Sequence, residues 1–326
     1  MTLEQALDAL AEETSFSGVV RVDGPEALAK AYGLADRAHE IPNETDMQFA
    51  TASGTKALTA LTVVSLVEAG LLELATPARA WLGDDLPLIG EDVTIEHLLA
   101  HTSGIGDYLD EETEIDIADY PMPVPVHELA ATEEYVPALD GHPPKFEPGE
   151  RFAYSNSGYV VLALVAERAS GTPFHDLVRE RVCGPAGMPD TAFLRSDALP
   201  GRAAIGYLEI DGEWRSNVFH LPVRGSGDGG IYTTAADIAA FWPAFLGGRI
   251  VSLDWVREMV RARTEQYGLG FWLRPPTALV SFHGCDAGVS FRTVHDPDAG
   301  ATHTVLSNTT DGAFPLSSLL DERLTS

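Results

Sequence analysis

The chain has 326 residues, 45% of them apolar, and its 49 acidic side chains against 21 basic ones give a formal net charge of −28. That length suits one large or two ordinary domains with a packed core, and the composition is that of a soluble globular protein. A surface this acidic repels nucleic acid and anionic lipid, which are bound chiefly through counter-charge, so neither is an expected partner.

The N-terminal stretch "MTLEQALDALAEETS" is acidic, with no basic leader and no long apolar core. The apolar run at 57–67 is too short to cross a bilayer, so a cytoplasmic protein without a membrane segment is expected. Residues 4–12 read as a helix, and "SGVVRV" and "EALAKAYGLAD" as strands joined at "VDGPE". From Ser53 to about Leu72 the sequence predicts a helix stopped near Gly70. It is apolar almost all round, as a helix buried between layers should be. "TIEHLLAH" (94–101) reads as a short helix ending at Ser103-Gly104, with His101 capping and packing. Residues 107–150 are rich in acid and proline and read as loops and short helices rimming a cleft. A helix from about Gly158 to Ala169 follows, with Gly171 as its C-cap.

The C-terminal third alternates as strands: "AAIGYLEIDGEW", "YGLGFWL", "ALVSFHG", "VSFRTVHD" and "ATHTVLSN", with hairpin turns at Asp211-Gly212 and "DPDAG" (296–300). "TTAADIAAFWPAFLGG" and "PLSSLLDERL" read as helices. Strands at both ends and helices in the middle predict a sheet built from the two chain termini. Residues 1–80 and 205–326 would form an α/β sheet domain, residues 81–204 a mostly helical insertion, with the site in the cleft between them. Cys183 and Cys285 have no metal or redox spacing and are expected as free thiols. His295, Asp296, Asp298 and His303 could suggest a metal, but "HDPDAG" reads as a turn; no metal or cofactor is expected.

The chain has three lysines, Lys30, Lys56 and Lys145, and one of them stands inside the apolar helix that opens in "TASGTKALTA" (51–60). Three residues apart on a helix, Ser53 and Lys56 point together. Desolvation and the positive helix N-terminus both disfavour the ammonium form, so a neutral Lys56 can take the hydroxyl proton of Ser53. The alternative is that Ser53 caps the helix and Lys56 snorkels to solvent. In "YSN" (154–156), Tyr154 could reach Ser53 and Lys56 and pass a proton to the leaving group while Asn156 bonds Lys56; equally, the segment could be an ordinary N-cap. In "FHGCDAG" (282–288), His283 could face the cleft and the backbone could offer an N–H to an oxyanion, or His283 could be an edge-strand histidine.

Ser-x-x-Lys, Tyr-x-Asn and a strand ending in His-Gly, in this order, resemble the serine β-lactamase and penicillin-binding family, in its class C-like branch. That branch also holds D,D-carboxypeptidases, D-aminopeptidases and family VIII carboxylesterases. "VTIEHLLAHTSGI", "FEPGERFAYSNSGYVVLALVAERASGTPF", "VCGPAGMPDTAF" and "DGGIYTTAADIAAFW" carry the resemblance over most of the chain. It implies a β-lactamase/transpeptidase-like α/β (α+β) fold, an antiparallel sheet flanked by helices plus an inserted mostly helical domain. It also implies Ser53 as nucleophile, Lys56 as its base and Tyr154 as general acid/base. Asn156, His283 and Gly284 would bind and orient Lys56 and substrate, and the N–H groups of Ser53 and Asp286 would form the oxyanion hole.

The third element departs from the family's Lys-Thr-Gly or His-x-Gly, reading His283-Gly284-Cys285. With no lysine there and basic residues sparse, Arg224 and Arg292 are the candidates for meeting a substrate carboxylate. The expected substrate is therefore a small ester or amide, neutral or carrying an amine, rather than a penicillin. A D,D-carboxypeptidase, D-aminopeptidase or weak β-lactamase is the alternative within the fold, and a non-catalytic ligand-binding member the alternative outside enzymes.

Overall fold

In the computed structural model, which describes residues 1–113, 116–117 and 119–324, six strands form one antiparallel sheet. They are β1 (Gly18–Asp23), β2 (Leu28–Tyr32), β3 (Trp272–Leu273), β4 (Val280–Asp286), β5 (Val289–Asp296) and β6 (Ala301–Ser307), in the order β2-β1-β6-β5-β4-β3. The two ends of the chain thus meet at the β1–β6 pair. Five longer helices matter for the site: α1 (Leu3–Glu13), α2 (Thr55–Glu68), α3 (Asn156–Ser170), α4 (Ala235–Leu246) and α5 (Ala313–Leu324). α1 and α5 pack Leu7, Leu316 and Leu320 against Val20, Val22 and Val305 of the sheet. The larger core joins the other side of the sheet to α2, α3 and α4, through an aromatic group that includes Phe241, Trp242, Phe271, Phe282 and Phe291. Covered on both faces, β6 is buried at every position.

Local signals explain most of these elements. α1 opens on a capping box between Thr2 and Gln5. α3 opens on Ser155, whose Oγ accepts the Gly158 N–H at 3.0 Å, and stops at Gly171, which is left-handed as a C-cap requires. Asp211 and Gly212 both have positive φ (+54° and +78°), the turn expected for the Tyr207–Ile210/Glu213–Ser216 hairpin, which is a separate ribbon outside the large sheet. At 296–300 the Asp296 carboxylate accepts the N–H groups of Asp298 and Ala299, closing the β5–β6 turn. Within 107–150 the described residues form short helical turns and loops but no strand. Among the described residues no helix is long and apolar enough to cross a membrane.

Two findings refine the expectations. The helix predicted from Ser53 to about Leu72 is a 3-10 turn at Ala52–Gly54 followed by α-helix over Thr55–Glu68, every residue from Thr55 to Leu66 being buried. Ala52, just before Ser53, has φ of +45°, a region non-glycine residues rarely occupy.

The second concerns β4. It joins β5 through the two-residue turn Ala287-Gly288, so Asp286 faces Val289 as the closing pair. A pair that flanks a two-residue turn exchanges its own N–H···O bonds, and the pairs then alternate. Cys285 and His283 therefore direct their N–H and C=O groups away from β5, toward the edge that β3 covers only at Val280 and Ser281. Side chains alternate as well: Phe282 and Gly284 share one face of β4, His283 and Cys285 the other.

Candidate active site

Ser53 sits on the 3-10 turn at the head of α2, one turn before Lys56. The Lys56 side chain is buried, with Nζ 2.8 Å from each of Ser53 Oγ, Asn156 Oδ1 and the Asp228 carbonyl oxygen. Tyr154 stands beside this pair, its ring centroid 4.8 Å from Lys56 Nζ and its hydroxyl electrostatically coupled to Ser53. Burial lowers the pKa of Lys56, against the opposing charges of Asp228, Glu111, Asp107 and Asp286. The contacts suit a neutral amine. Two partners, an amide oxygen and a carbonyl, can only accept, while the Ser53 hydroxyl can donate. Burial drives the Tyr154 hydroxyl the other way, holding it as an un-ionised phenol.

Asn156 is the first residue of α3, and its amide is fixed from both ends. Its Nδ2 donates to the Leu109 carbonyl at 2.9 Å and Glu111 Oε1 at 3.1 Å, which leaves Oδ1 facing Lys56. The Asp107 carboxylate takes the Asn156 N–H at 2.7 Å and the Ser157 N–H at 2.9 Å, the orphan donors of the helix start. His101 is buried beneath Tyr154, ring on ring at 4.3 Å, and its Nδ1 accepts the Ser155 N–H at 2.9 Å. Burial keeps it neutral, so capping and packing describe it well.

At the third element, Gly284 is where strand and turn touch. A Cβ there would lie 2.2 Å from the Thr51 carbonyl oxygen and 2.5 Å from Ser53 N, so only glycine lets β4 approach. Two expectations need correction. The Asp286 N–H is committed to the β4–β5 closing pair; the N–H that points to the open edge beside Ser53 is that of Cys285. His283 projects from the face opposite Gly284 and lines a neighbouring groove with Arg274 and Arg292. There it stacks on Trp272 at 5.2 Å, which in turn stacks on Tyr154 at 6.1 Å. Burial and Arg292 depress its pKa to about 4, so it is neutral. Ser53, Lys56, Tyr154, Asn156 and Gly284 are therefore brought together, while His283 stands one ring behind them.

Ser53 opens into a cavity of about 320 Å³. Its apolar wall includes Leu109, Met122, Leu194, Leu221, Pro222 and Val289, and its acidic groups are Glu111, Asp228 and Asp286. Burial pushes the Asp286 carboxyl up to about 6. Among the described residues lining the cavity there is no lysine or arginine. Arg292 bonds Ser317 and Asp321 on α5, and Arg224 Nε bonds the Phe193 carbonyl, so neither reaches the cavity. Asp107 and Tyr108 stand around the site without any motif announcing them, and Asp228 opens the stretch 228–242 that carried the resemblance, with no role expected of it. The Tyr108 hydroxyl donates to the Asp228 carboxylate, whose backbone carbonyl holds Lys56.

A family model described as Beta-lactamase matches residues 3–323. The putative penicillin-binding protein PbpX of Bacillus subtilis (strain 168) is 28% identical over 284 residues, 85% of this chain and 66% of the relative. The chain thus spans just under two thirds of that relative's length. Esterase EstB of Burkholderia gladioli is 29% identical over 340 residues, 92% of this chain and 81% of the esterase. Among solved structures, a penicillin binding protein from Bacillus halodurans superimposes with a TM-score of 0.90 at 34% identity, over 97% of this chain and 99% of that one.

Proposed function

The chain belongs to the beta-lactamase family, and from that premise we propose that it is a serine hydrolase working through an acyl-Ser53 intermediate on a small ester or amide. The observation that carries this reading is the Lys56 site: a buried lysine with two obligate acceptors and one serine hydroxyl as partners. Ser53 Oγ attacks the substrate carbonyl carbon as its proton passes to Lys56 Nζ. The developing oxyanion lies between the N–H groups of Ser53 and Cys285. The tetrahedral adduct collapses, the bond to the leaving group breaks, and the Tyr154 phenol protonates that group, regaining its proton from the Lys56 ammonium. Water then attacks the acyl carbon by the same route in reverse. Asn156 keeps Lys56 aimed at Ser53, and Gly284 sets the distance between the two oxyanion donors. On this reading residues 1–80 and 205–326 supply Ser53, Lys56 and Cys285, and the insertion at 81–204 supplies Tyr154 and Asn156.

The absence of lysine and arginine among the described cavity-lining residues, beside three carboxylates, favours a substrate that is neutral or carries an amine over one that carries a carboxylate. A penicillin-recognising peptidase is the second reading, supported by the 34% identity to a penicillin binding protein over nearly the whole chain. Intact-protein mass after brief exposure to a p-nitrophenyl ester, and separately to a penicillin, decides between them. An ester adduct that Ser53→Ala lacks, with turnover down by about 10³-fold or more, supports the esterase-like reading. A lasting penicillin adduct would move the assignment to the peptidase, and no adduct from either would leave a binding protein.

A further inference from the structure

The acidic segment Asp107–Glu111 does more than edge the cavity. We infer that it is the positioning element for Lys56, bracing by separate arms both groups that accept the lysine's protons. The inference rests on the hydrolase reading above but concerns residues outside the reacting set.

The first arm runs to Asn156. Asp107 anchors the backbone of the α3 start, taking the Asn156 and Ser157 N–H groups and also the Ser157 hydroxyl at 3.0 Å. The Ser157 hydroxyl oxygen in turn accepts the Tyr108 N–H at 3.0 Å, so loop and helix are locked to each other. Two residues on, the Leu109 carbonyl takes one Asn156 amide hydrogen, with Glu111 on the same nitrogen. The amide therefore cannot flip, and its oxygen stays on Lys56. The second arm runs to Asp228. Its buried carboxylate receives the Tyr108 hydroxyl, and its carbonyl oxygen is the third partner of Lys56. Asn156 and Asp228 lie on elements far apart in sequence, and this one short segment is tied to both.

The segment also contributes to the field at Nζ, after burial and Asp228. Asp107 and Glu111 face Lys56 from the segment itself, Asp228 from the loop before the Tyr232–Thr233 strand, and Asp286 from β4; each favours the ammonium form. His101 lies near it as a neutral ring and His283, also neutral, stands one ring further off, while the rings of Tyr154 and Tyr159 pack within 4.8 and 5.8 Å. Removing the Asp107 charge should thus make the lysine easier to deprotonate, which loss of a purely structural contact would not do.

The chain has three lysines, so a ¹⁵N-lysine NMR titration of the full protein can follow Lys56, assigned by Lys56→Arg. With Asp107→Asn, Lys56 should titrate at lower pH, and the acid limb of kcat/KM for a p-nitrophenyl ester should move the same way. The more conservative Tyr108→Phe removes only a hydroxyl and should lower kcat about tenfold with KM changed less than about twofold. An unmoved Lys56 titration, or an unchanged kcat in folded Tyr108→Phe, overturns the inference. If Asp107→Asn does not fold, Tyr108→Phe decides it. Should Lys56 shift as expected while wild-type Ser53 takes no acyl group, the positioning stands and the hydrolase reading falls.

Discussion

The floor of the cavity and its rim are held very differently. On the floor, Lys56 and Asn156 are buried, and each polar atom of the two side chains has a hydrogen-bond partner. Backbone there meets backbone directly at Gly284, and again at Gly227, where a Cβ would lie 2.1 Å from the Tyr159 carbonyl oxygen. At the rim, Met122, Leu194, Leu221 and Pro222 offer apolar surface, and Phe219, beside the lining residue His220, is 83% exposed. Proton transfer needs fixed distances, and a close-packed floor supplies them. Selecting a substrate needs only shape and charge, which loops can vary without disturbing the chemistry. If this division is right, changes on the floor should cost rate steeply, and changes at the rim should alter preference gently.

Gly284→Ala tests the floor and should give the largest effect. Its methyl would meet the Thr51 carbonyl oxygen and the Ser53 and Gly54 nitrogens at 2.2, 2.5 and 2.7 Å, all of them backbone atoms that cannot rotate away. β4 must retreat and carry the Cys285 N–H with it. A displacement near 1 Å between reacting groups is worth about a hundredfold, so kcat should fall by about that factor or more. The check is single-turnover acylation of Ser53 on protein whose near-ultraviolet circular dichroism shows it folded. Acylation at the wild-type rate would mean the contact does not set the oxyanion geometry.

The second prediction concerns what lies just behind the floor. His283 and the buried His303 have pKa values depressed to about 4, both chiefly by burial, from an ordinary value of 6.5. A histidine whose folded pKa is depressed stabilises the fold above its unfolded pKa and loses that contribution as pH falls toward the folded one. The two histidines should therefore lower stability between about pH 6.5 and pH 4, by on the order of 3 kcal/mol for a single histidine shifted that far, while Asp286, raised to about 6, works in the opposite direction as pH falls. Urea unfolding of wild type and His283→Gln at several pH values isolates the His283 share, as the difference between the two slopes. Because His283 stacks on Trp272 and through it on Tyr154, acylation should fail before the fold does. Loss of both at one pH would show that floor and sheet melt as a unit.

How much of this could be read from the sequence depended on whether the signal was local. Ser53 and Lys56, three apart at the head of an apolar helix, announce themselves, and so does Gly171 at the end of α3. Of the partners that hold Lys56, Asn156 was legible through Tyr-x-Asn although it lies 100 residues away. Asp228, 172 away, was not, because it acts through a backbone carbonyl, which leaves no mark on residue type. Asp107 reads as one more acid in an acidic stretch until α3 is seen to start on it. At β4 the difficulty was register. Side chains alternate with a period of two, so a slip of one exchanges the faces. His283 then takes the place of Phe282, and Asp286 that of Cys285. The two-residue turn Ala287-Gly288 fixes that parity, and it was present in the sequence.

The rim gives the smallest expected effect. Glu111 is exposed, lines the cavity and also accepts an Asn156 amide hydrogen through Oε1. Glu111→Gln removes the charge but retains an oxygen for that bond. An ammonium on the substrate would then lose one solvent-exposed counter-ion, and exposed pairs are worth roughly 0.2–1 kcal/mol, about a 1.4- to fivefold change. The quantity to measure is the ratio of kcat/KM for an amine-bearing p-nitrophenyl ester to that for a neutral ester of the same shape. Both esters use the same floor, so any disturbance of Asn156 cancels in the ratio. The ratio should fall by about 1.4- to fivefold at low ionic strength and less at high salt, since screening weakens exposed charges. A ratio that stays put in Glu111→Gln would remove Glu111 from substrate selection and leave Asp286, deeper and beside the oxyanion donor, as the carboxylate that meets the amine.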